Sequence, residues 1–158
     1  MNCPIDKENL SLAFLFTMYL KSQNQYYKYY FKDVDVTIQH YPILLKLLNH
    51  GYVYQKDISR DLHIDNALLT RNLRKLEDNG YIMRKEDNDN RRQNKISLTP
   101  KGIELAEQIR DEGIKRDEQI IKNSGYSRED LLDLLLELLE NSDDYNKEKI
   151  CEVWYDRK

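Results

Sequence analysis

Nitrogen-rich side chains recur along one segment of the chain, residues 66–75, which has the sequence N-A-L-L-T-R-N-L-R-K. The guanidinium groups of Arg71 and Arg74 suit bidentate contact with guanine or with a phosphate, and the amide of Asn66 suits adenine. For Arg74 and Lys75, simple contact with phosphate or solvent is an equally good interpretation. These residue types indicate nucleic-acid binding.

The spacing of apolar residues predicts how this segment is held. Asp65 is a good N-cap, and Leu69, Leu73 and Leu76 follow the i, i+4, i+7 spacing of a helix that buries one face. A shorter helix is predicted from Gln55 to Leu62, with a tight link between the two. Two short helices joined in this way, the second basic on its outer face, are typical of a helix-turn-helix.

A polar hairpin is predicted directly after this helix, which Asn79-Gly80 ends. Tyr81 to Lys85 and Lys95 to Leu98 are the predicted strands, and they flank the segment D-N-D-N-R-R-Q-N. Arg91 and Arg92 lie near the centre of that segment. A capped helix fits the major groove of DNA, and a basic hairpin beside it can reach the neighbouring minor groove.

Long helices are predicted at both ends of the chain. Ser11 to Phe31 contains no Gly or Pro, and its first half is apolar nearly all round. Thr99-Pro100 starts a second long helix that runs to about Lys122. Ser127 with Asp130 caps a third, whose sequence L-L-D-L-L-L-E-L-L buries at least two faces.

The first and last helices carry more apolar surface than a monomer of this size buries, so a homodimer is expected, with coiled-coil association as the weaker alternative.

One further helix is predicted between these elements. Thr37 is the expected cap and Gly51 the end, and Pro42 falls just after the first turn, where it removes one backbone hydrogen bond. The residues spaced to face inward are Tyr41, Leu44, Leu45 and Leu48.

The composition favours a mostly helical protein without catalytic groups. Gly and Pro are scarce, at 5 and 3 of 158 residues. No signal-peptide pattern and no apolar run of membrane-spanning length occurs, so a soluble cytoplasmic protein without a membrane partner is expected. Cys3 and Cys151 form neither a metal spacing nor a disulfide framework, and the three histidines have no ligand spacing. Neither a metal, a cofactor nor an enzymatic activity is expected.

The distribution of charge removes an apparent conflict with nucleic-acid binding. The net charge is −3, but residues 55–101 carry 11 Lys/Arg and 8 Asp/Glu, a net of +3. Residues 102–158 carry 9 and 16, a net of −7. Positive charge therefore collects in the segment for which DNA binding is predicted.

Two segments, T-R-N-L-R-K-L-E-D-N-G-Y-I and N-R-R-Q-N-K-I-S-L-T-P-K-G, resemble the MarR (multiple antibiotic resistance regulator) family of winged helix-turn-helix transcription factors. The resemblance extends from about Thr37 to Gly102. It implies a mainly α fold, in which a winged helix-turn-helix with a two-stranded β wing accompanies long N- and C-terminal helices that form a dimerisation lobe. Within this single domain, residues 37–102 would bind DNA, and residues 9–32 and 103–158 would dimerise.

The resemblance also assigns DNA-contacting residues by motif. Asn66 to Arg71 would be the groove-facing start of the recognition helix, Arg92 would enter the minor groove, and Arg91 would lie alongside the phosphates. Leu68 is interpreted either as partly buried or as touching a thymine methyl group. The full set of expected DNA-binding residues is Gln55, Asn66, Ala67, Leu68, Thr70, Arg71, Arg74, Lys75, Arg91 and Arg92.

Two positions depart from the family pattern. Asn90 stands where the family has the Asp of Asp-Arg-Arg, and Tyr54 stands where it usually has a Thr before Gln55. Asp87 or Asp89 is a candidate substitute for the missing carboxylate.

The resemblance further implies a homodimeric repressor that binds a pseudo-palindromic site in double-stranded DNA and responds to a small aromatic or phenolic ligand. Tyr19, His40 and Tyr41 are candidate ligand-binding residues, with core or boundary packing as their alternative interpretation. The alternative function is a winged-helix protein-interaction module without sequence-specific DNA binding, which the net acidity and Asn90 favour.

Overall fold

Helices and a small antiparallel sheet make up the chain. The computed structural model describes residues 7–87, 94–142 and 150–151, and the chain forms two compact units, Met1–Ile38 and Gln39–Lys158. The elements of the described ranges are α1 (Leu12–Tyr30), α2 (Tyr41–His50), β1 (Tyr52–Tyr54), α3 (Gln55–Asp61), α4 (Asn66–Asp78), β2 (Ile82–Glu86), β3 (Asn94–Leu98), α5 (Pro100–Ile121) and α6 (Arg128–Glu140). The predicted mainly α fold is confirmed.

Helix α1 dominates the first unit. The Ser11 hydroxyl accepts a hydrogen bond from the Phe14 amide at 3.2 Å, which caps the helix where the sequence predicts it. The apolar first half of α1 is exposed in the chain alone, with Leu12 at 60% and Phe14 at 55% of full exposure. In the second half, the rings of Tyr26 and Tyr30 stack with centroids 6.2 Å apart. None of the helices in the described ranges is both long enough and apolar enough to cross a membrane.

Helix α2 begins later than the sequence predicts. Thr37 does not cap it, because a turn occupies residues 38–40 and the helix starts at Tyr41 with His40 at the N-cap position. Pro42 therefore lies in the first turn, where its missing N–H leaves no hydrogen bond unmade. Gly51 ends the helix at φ +72°, as expected.

The core of the second unit is built from one face of each short helix and the inner face of the sheet. The side chains that are less than 2% exposed are Ile43, Leu44, Leu47, Ile58, Leu69, Leu73, Leu76 and Ile96. The predicted leucine stripe of α4 is therefore confirmed as core, and Ile58 of α3 is buried as well. In α2, Leu45 and Leu48 are half-buried, and Ile43 and Leu47 take the inner positions instead.

The sheet has three strands in the order β1-β3-β2, all antiparallel. The predicted hairpin corresponds to β2 and β3, and β1 adds a third strand along the free edge of β3. In the register, Tyr54 pairs with Lys95, and Lys95 pairs with Lys85 on the other side. The strand that precedes α3 is thereby fixed to the same sheet as the hairpin.

A buried ion pair joins α2 to α3. Lys46 Nζ lies 3.0 Å from Asp61 Oδ2, and the two side chains are 3% and 10% exposed. Burial raises the pKa of Asp61, but hydrogen bonds from Arg60 and Lys46 outweigh it, so the pKa lies below its usual value. The carboxylate is therefore charged at neutral pH, and the pair fixes α3 against the helix that precedes it.

Hydrogen bonds also tie the end of α4 to the start of α5. The Thr99 hydroxyl donates to the Gly80 carbonyl at 2.6 Å and accepts from the Gly102 amide at 3.0 Å, and Lys101 Nζ donates to the Asn79 carbonyl at 2.9 Å. Thr99 thus acts as the predicted N-cap of α5 and binds the preceding turn at the same time. We call residues 79–81 and 99–102 the α4–α5 junction.

Helix α6 has its predicted capping box, in which Ser127 and Asp130 bind each other's backbone amides. Its hydrophobic faces are not buried in the chain alone, and Leu132, Leu134, Leu135, Leu136, Leu138 and Leu139 are all exposed. The burial of two faces that the sequence predicts is therefore not seen within the residues that the structure describes.

Gly102 provides a test of the α4–α5 junction. A Cβ atom at this position would lie 1.9 Å from the carbonyl oxygen of Tyr81, which is backbone and moves only if the junction moves. Replacing Gly102 by Ala should lower the free energy of unfolding by about 1–3 kcal/mol. Helix propensity alone predicts the opposite sign, a gain of about 0.8–1.0 kcal/mol. Urea denaturation of the two proteins measures the difference.

The matched control is Glu104→Ala, an exposed position in the same helix, which should change the free energy of unfolding by less than about 0.5 kcal/mol. A stabilised Gly102→Ala protein would show that the close approach at the junction does not constrain the fold.

Candidate nucleic-acid interface

Helix α4 presents two chemically distinct faces. Leu69, Leu73 and Leu76 are 0% exposed, so their side of the helix is fixed against the core. The opposite side carries side chains that are all exposed, namely Asn66, Ala67, Thr70, Arg71 and Arg74. Leu68 and Lys75 are half-buried at the margins. The sequence-predicted residues of this helix thus lie together on or beside one accessible surface, which we call the α4 outer face.

The start of α4 is capped as predicted. The Asp65 carboxylate accepts hydrogen bonds from the amides of Ala67 at 2.9 Å and Leu68 at 3.1 Å. These amides would otherwise be unsatisfied at the helix terminus. The cap fixes the direction of the first turn, which carries Asn66.

The link between α3 and α4 is a tight turn. His63 has φ +48°, in the left-handed region that a residue with a side chain rarely adopts. The Ser59 hydroxyl donates to the Ile64 carbonyl at 2.8 Å, and the Ile64 amide donates to the Ser59 carbonyl at 3.1 Å. This pair of hydrogen bonds closes the turn and sets the angle between the two helices.

Gln55 and Thr70 are brought together across the two helices. The side-chain amide of Gln55 donates to the Thr70 hydroxyl at 3.0 Å, and that hydroxyl donates to the Asn66 carbonyl at 2.7 Å. Both residues were predicted separately from the sequence, and the contact between them was not. Through it, the first residue of α3 is fixed to the α4 outer face.

The charged groups of the α4 outer face differ in how tightly they are held. Arg74 is 81% exposed, and its Nε lies 4.0 Å from Asp78, a separation that leaves the pair weak in water. Arg84 of β2, by contrast, is bound to Glu77 at 3.0 Å and is only 24% exposed. Arg74 is therefore available for an external anion, whereas Arg84 links α4 to the hairpin.

Sequence reasoning missed a cluster on the outer face of the sheet, formed by Tyr54, Asp87 and Lys95. The Tyr54 hydroxyl donates to Asp87 Oδ2 at 2.5 Å, and Lys95 Nζ lies 3.2 Å from Asp87 Oδ1. The hydrogen bond to Asp87 raises the pKa of Tyr54, and the contact with Asp87 likewise raises the pKa of Lys95. At neutral pH the phenol is therefore uncharged and the ammonium group charged. The sequence marked Tyr54 as a departure from the family pattern and Asp87 as a candidate substitute for the missing carboxylate, but the contact between them depends on the strand register.

The remaining sequence-predicted residues fall into two groups. Arg91 and Arg92, together with Asn90 and Asp89, lie outside the described residues, as does Cys3. Of the candidate ligand-binding residues, Tyr19 is 44% exposed on α1 in the first unit, and His40 and Tyr41 are buried at the start of α2 in the second.

Solved structures define the class of fold. The crystal structure of MarR aligns with a TM-score of 0.77 at 20% sequence identity and covers 89% of this chain and 95% of that one. A Staphylococcus aureus MepR–DNA complex aligns with a TM-score of 0.71 at 24% identity, covering 85% and 98%. The fold is therefore the winged helix-turn-helix of the MarR structures.

Sequence comparisons identify the family. A profile of the MarR family matches residues 36–93. The HTH-type transcriptional regulator SarZ of Staphylococcus saprophyticus is 33% identical over 98 residues, which cover 62% of this chain and 67% of that protein. SarZ of Staphylococcus haemolyticus is 26% identical over 141 residues, or 86% and 93% of the two chains. The chain belongs to the MarR family and is a DNA-binding transcriptional regulator; the family is not one of enzymes.

The cap of α4 can be tested apart from DNA binding. Asp65→Ala removes the acceptor for two backbone amides and should lower the free energy of unfolding by about 1 kcal/mol. Asp78→Ala removes the same charge from the other end of α4, where an acidic group is unfavourable to the helix dipole, and should change it by less than about 0.5 kcal/mol. Equal effects in urea denaturation would show that the Asp65 cap contributes no more than its charge.

Proposed function

We propose that this regulator reads DNA with the α4 outer face in the major groove. The observation that carries the proposal is the two-faced character of α4: three fully buried leucines hold the helix, and its amide, hydroxyl and guanidinium side chains are exposed on the other side. Arg71 and Arg74 suit guanine or phosphate, and Asn66 suits adenine. Gln55, bound to Thr70 at the edge of this face, adds a donor next to the phosphate backbone.

We propose that the segment between β2 and β3 contacts the minor groove beside this site. Arg91 and Arg92 supply the positive charge that a narrow A·T-rich minor groove attracts. The proposal is supported by the hairpin on either side of the segment, whose strands are confirmed at Ile82–Glu86 and Asn94–Leu98. Arg92 is the residue we assign to the groove floor and Arg91 to the phosphates.

We propose that two copies of the chain act as a homodimer. The exposed leucines of α6 and the exposed apolar half of α1 are too much hydrophobic surface for a solitary chain, since burial contributes about 25 cal/mol per Å². A two-fold dimer would present two α4 helices to a pseudo-palindromic site with half-sites about one helical turn, roughly 10 bp, apart. Such a dimer on a promoter represses simply by occupying it, and repression is the mode we propose.

We propose that a small aromatic or phenolic acid regulates the dimer, with Tyr19, His40 and Tyr41 as candidate contacts. A ligand that binds only the folded protein raises its midpoint of thermal unfolding. A screen of aromatic acids by thermal shift should therefore find at least one that stabilises the wild-type protein, and less so the Tyr19→Ala protein. A screen in which nothing stabilises the wild-type protein would contradict this proposal and leave DNA binding intact.

Selection of bound duplexes from a random pool tests the DNA-binding proposal. The wild-type protein should enrich an inverted repeat with half-sites about 10 bp apart. The affinity for the enriched duplex should fall steeply with salt, because bound phosphates release counterions. Arg71→Ala should weaken binding by about ten- to a hundredfold, which corresponds to the roughly 1–3 kcal/mol of a base contact.

The matched control is Arg110→Ala on α5, which removes another exposed guanidinium that lies outside the proposed interface and should leave affinity unchanged. If selection enriches no common sequence, or if the affinity does not depend on salt, the alternative of a winged helix that binds another protein would be favoured instead. Equal losses for Arg71→Ala and Arg110→Ala would show that only net charge matters.

A further inference from the structure

Asp87 connects the end of β2 to the segment between the two hairpin strands. It follows the last residue of β2, and residues 88–93 begin directly after it. Its carboxylate is only 6% exposed, yet both of its oxygens are bound by side chains of the other two strands. A buried carboxylate is costly unless it is neutralised and hydrogen-bonded, so these contacts fix where it lies.

The strand register brings the partners of Asp87 to the same face of the sheet. Tyr54 of β1 pairs directly with Lys95 of β3, which pairs with Lys85 of β2, and directly opposed residues project to one side. Asp87 is two residues beyond Lys85 and so follows the same alternation. The Lys95 ammonium group also lies 5.0 Å from the centre of the Tyr52 ring, a contact that a phenylalanine ring at this position would keep. We call Tyr54, Asp87 and Lys95 the wing-root cluster.

The wing-root cluster is connected to α4 through Gln55, the residue that follows Tyr54. Tyr54 immediately precedes Gln55, whose amide binds the Thr70 hydroxyl on the α4 outer face. The cluster thus joins Asp87, which precedes residues 88–93, and Lys95, the second residue of β3, to the strand that leads into the helix-turn-helix.

We propose that Tyr54 and Lys95 are positioning residues for DNA binding: by holding Asp87, they set the direction in which the hairpin leaves the sheet and so align it with the minor groove next to α4. This inference rests on the proposed function. It gives a role to Asp87, one of the two candidate substitutes for the carboxylate missing at Asn90, and to Tyr54, which stands where the family pattern usually has a Thr.

Removing the Tyr54 hydroxyl tests this proposal with the full chain. Tyr54→Phe keeps the ring and deletes the hydrogen bond to Asp87, and Asp87→Asn keeps an acceptor for Tyr54 but deletes the charge that holds Lys95. Tyr52→Phe is the matched control, because the Tyr52 hydroxyl makes no hydrogen bond among the described residues and its ring is 51% exposed. Each protein is titrated against two duplexes. The first is enriched from a random pool by the wild-type protein, and the second has the base pairs that flank each half-site replaced by G·C.

The proposal predicts that Tyr54→Phe and Asp87→Asn lose roughly tenfold in affinity for the first duplex, a change of about 1.4 kcal/mol. Their affinity for the second duplex should stay close to that of the wild-type protein. That duplex lacks the narrow A·T-rich minor groove, so alignment of the hairpin by the cluster gives no advantage on it. Tyr52→Phe should match the wild-type protein on both. If Tyr54→Phe does not fold, Asp87→Asn provides the same comparison.

Two results would overturn the inference while the wild-type protein still binds its duplex. If both variants bind the first duplex as tightly as the wild-type protein does, the cluster does not position the hairpin. Equal losses on both duplexes would show a general structural role instead. Failure of the wild-type protein itself to bind any duplex at low salt would overturn the proposed function, and this inference with it.

Discussion

One-sided burial of α4 is the constraint on which the rest of the structure depends. Leu69, Leu73 and Leu76 are completely removed from solvent, and burying a leucine contributes about 1.5–3 kcal/mol relative to exposing it. Rotating the helix about its axis would expose all three at once. The same burial that stabilises the second unit therefore determines which side chains remain outside. The face proposed to read DNA is therefore a consequence of how the core is packed.

Contacts at both ends of α4 then restrict the remaining freedom. At its start, the Asp65 cap and the turn at His63 fix the first residues, and at its end the Tyr81 amide donates to the Leu76 carbonyl at 2.9 Å. The α4–α5 junction continues this restraint, because Gly102 approaches the Tyr81 backbone too closely to admit a side chain. A helix held at both ends and along one face can present side chains with the small positional error that base recognition requires.

Most of the fold followed from local signals in the sequence. The caps at Asp65, Thr99 and Ser127 and the leucine stripe of α4 were predicted because a cap and a helical stripe depend only on residues a few positions apart. The predicted start of α2 was wrong, because the helix begins at Tyr41 and Thr37 does not cap it. Thr37 is a good cap by residue type, whereas Pro42 favours a start at Tyr41. Local patterns cannot decide between these two signals.

Contacts between distant residues could not be predicted in the same way. The bond from Gln55 to Thr70, and the cluster of Tyr54, Asp87 and Lys95, depend on the angle of a turn and on the register of three strands. The sequence marked Tyr54 and Asp87 as noteworthy without showing that they touch. It also indicated that the apolar faces of α6 need a cover, and the leucines of that helix are exposed in the part of the chain that the structure describes.

Methylation interference on the enriched duplex tests the central claim most directly, because it reports which groove each contact uses. Dimethyl sulfate modifies guanine at N7 in the major groove and adenine at N3 in the minor groove. If α4 reads the major groove, N7-methylguanine within each half-site should block binding, and N3-methyladenine should interfere only in the flanks beside the hairpin. Interference confined to minor-groove adenines, with every N7-methylguanine tolerated, would contradict the assignment of α4 as the helix that reads DNA.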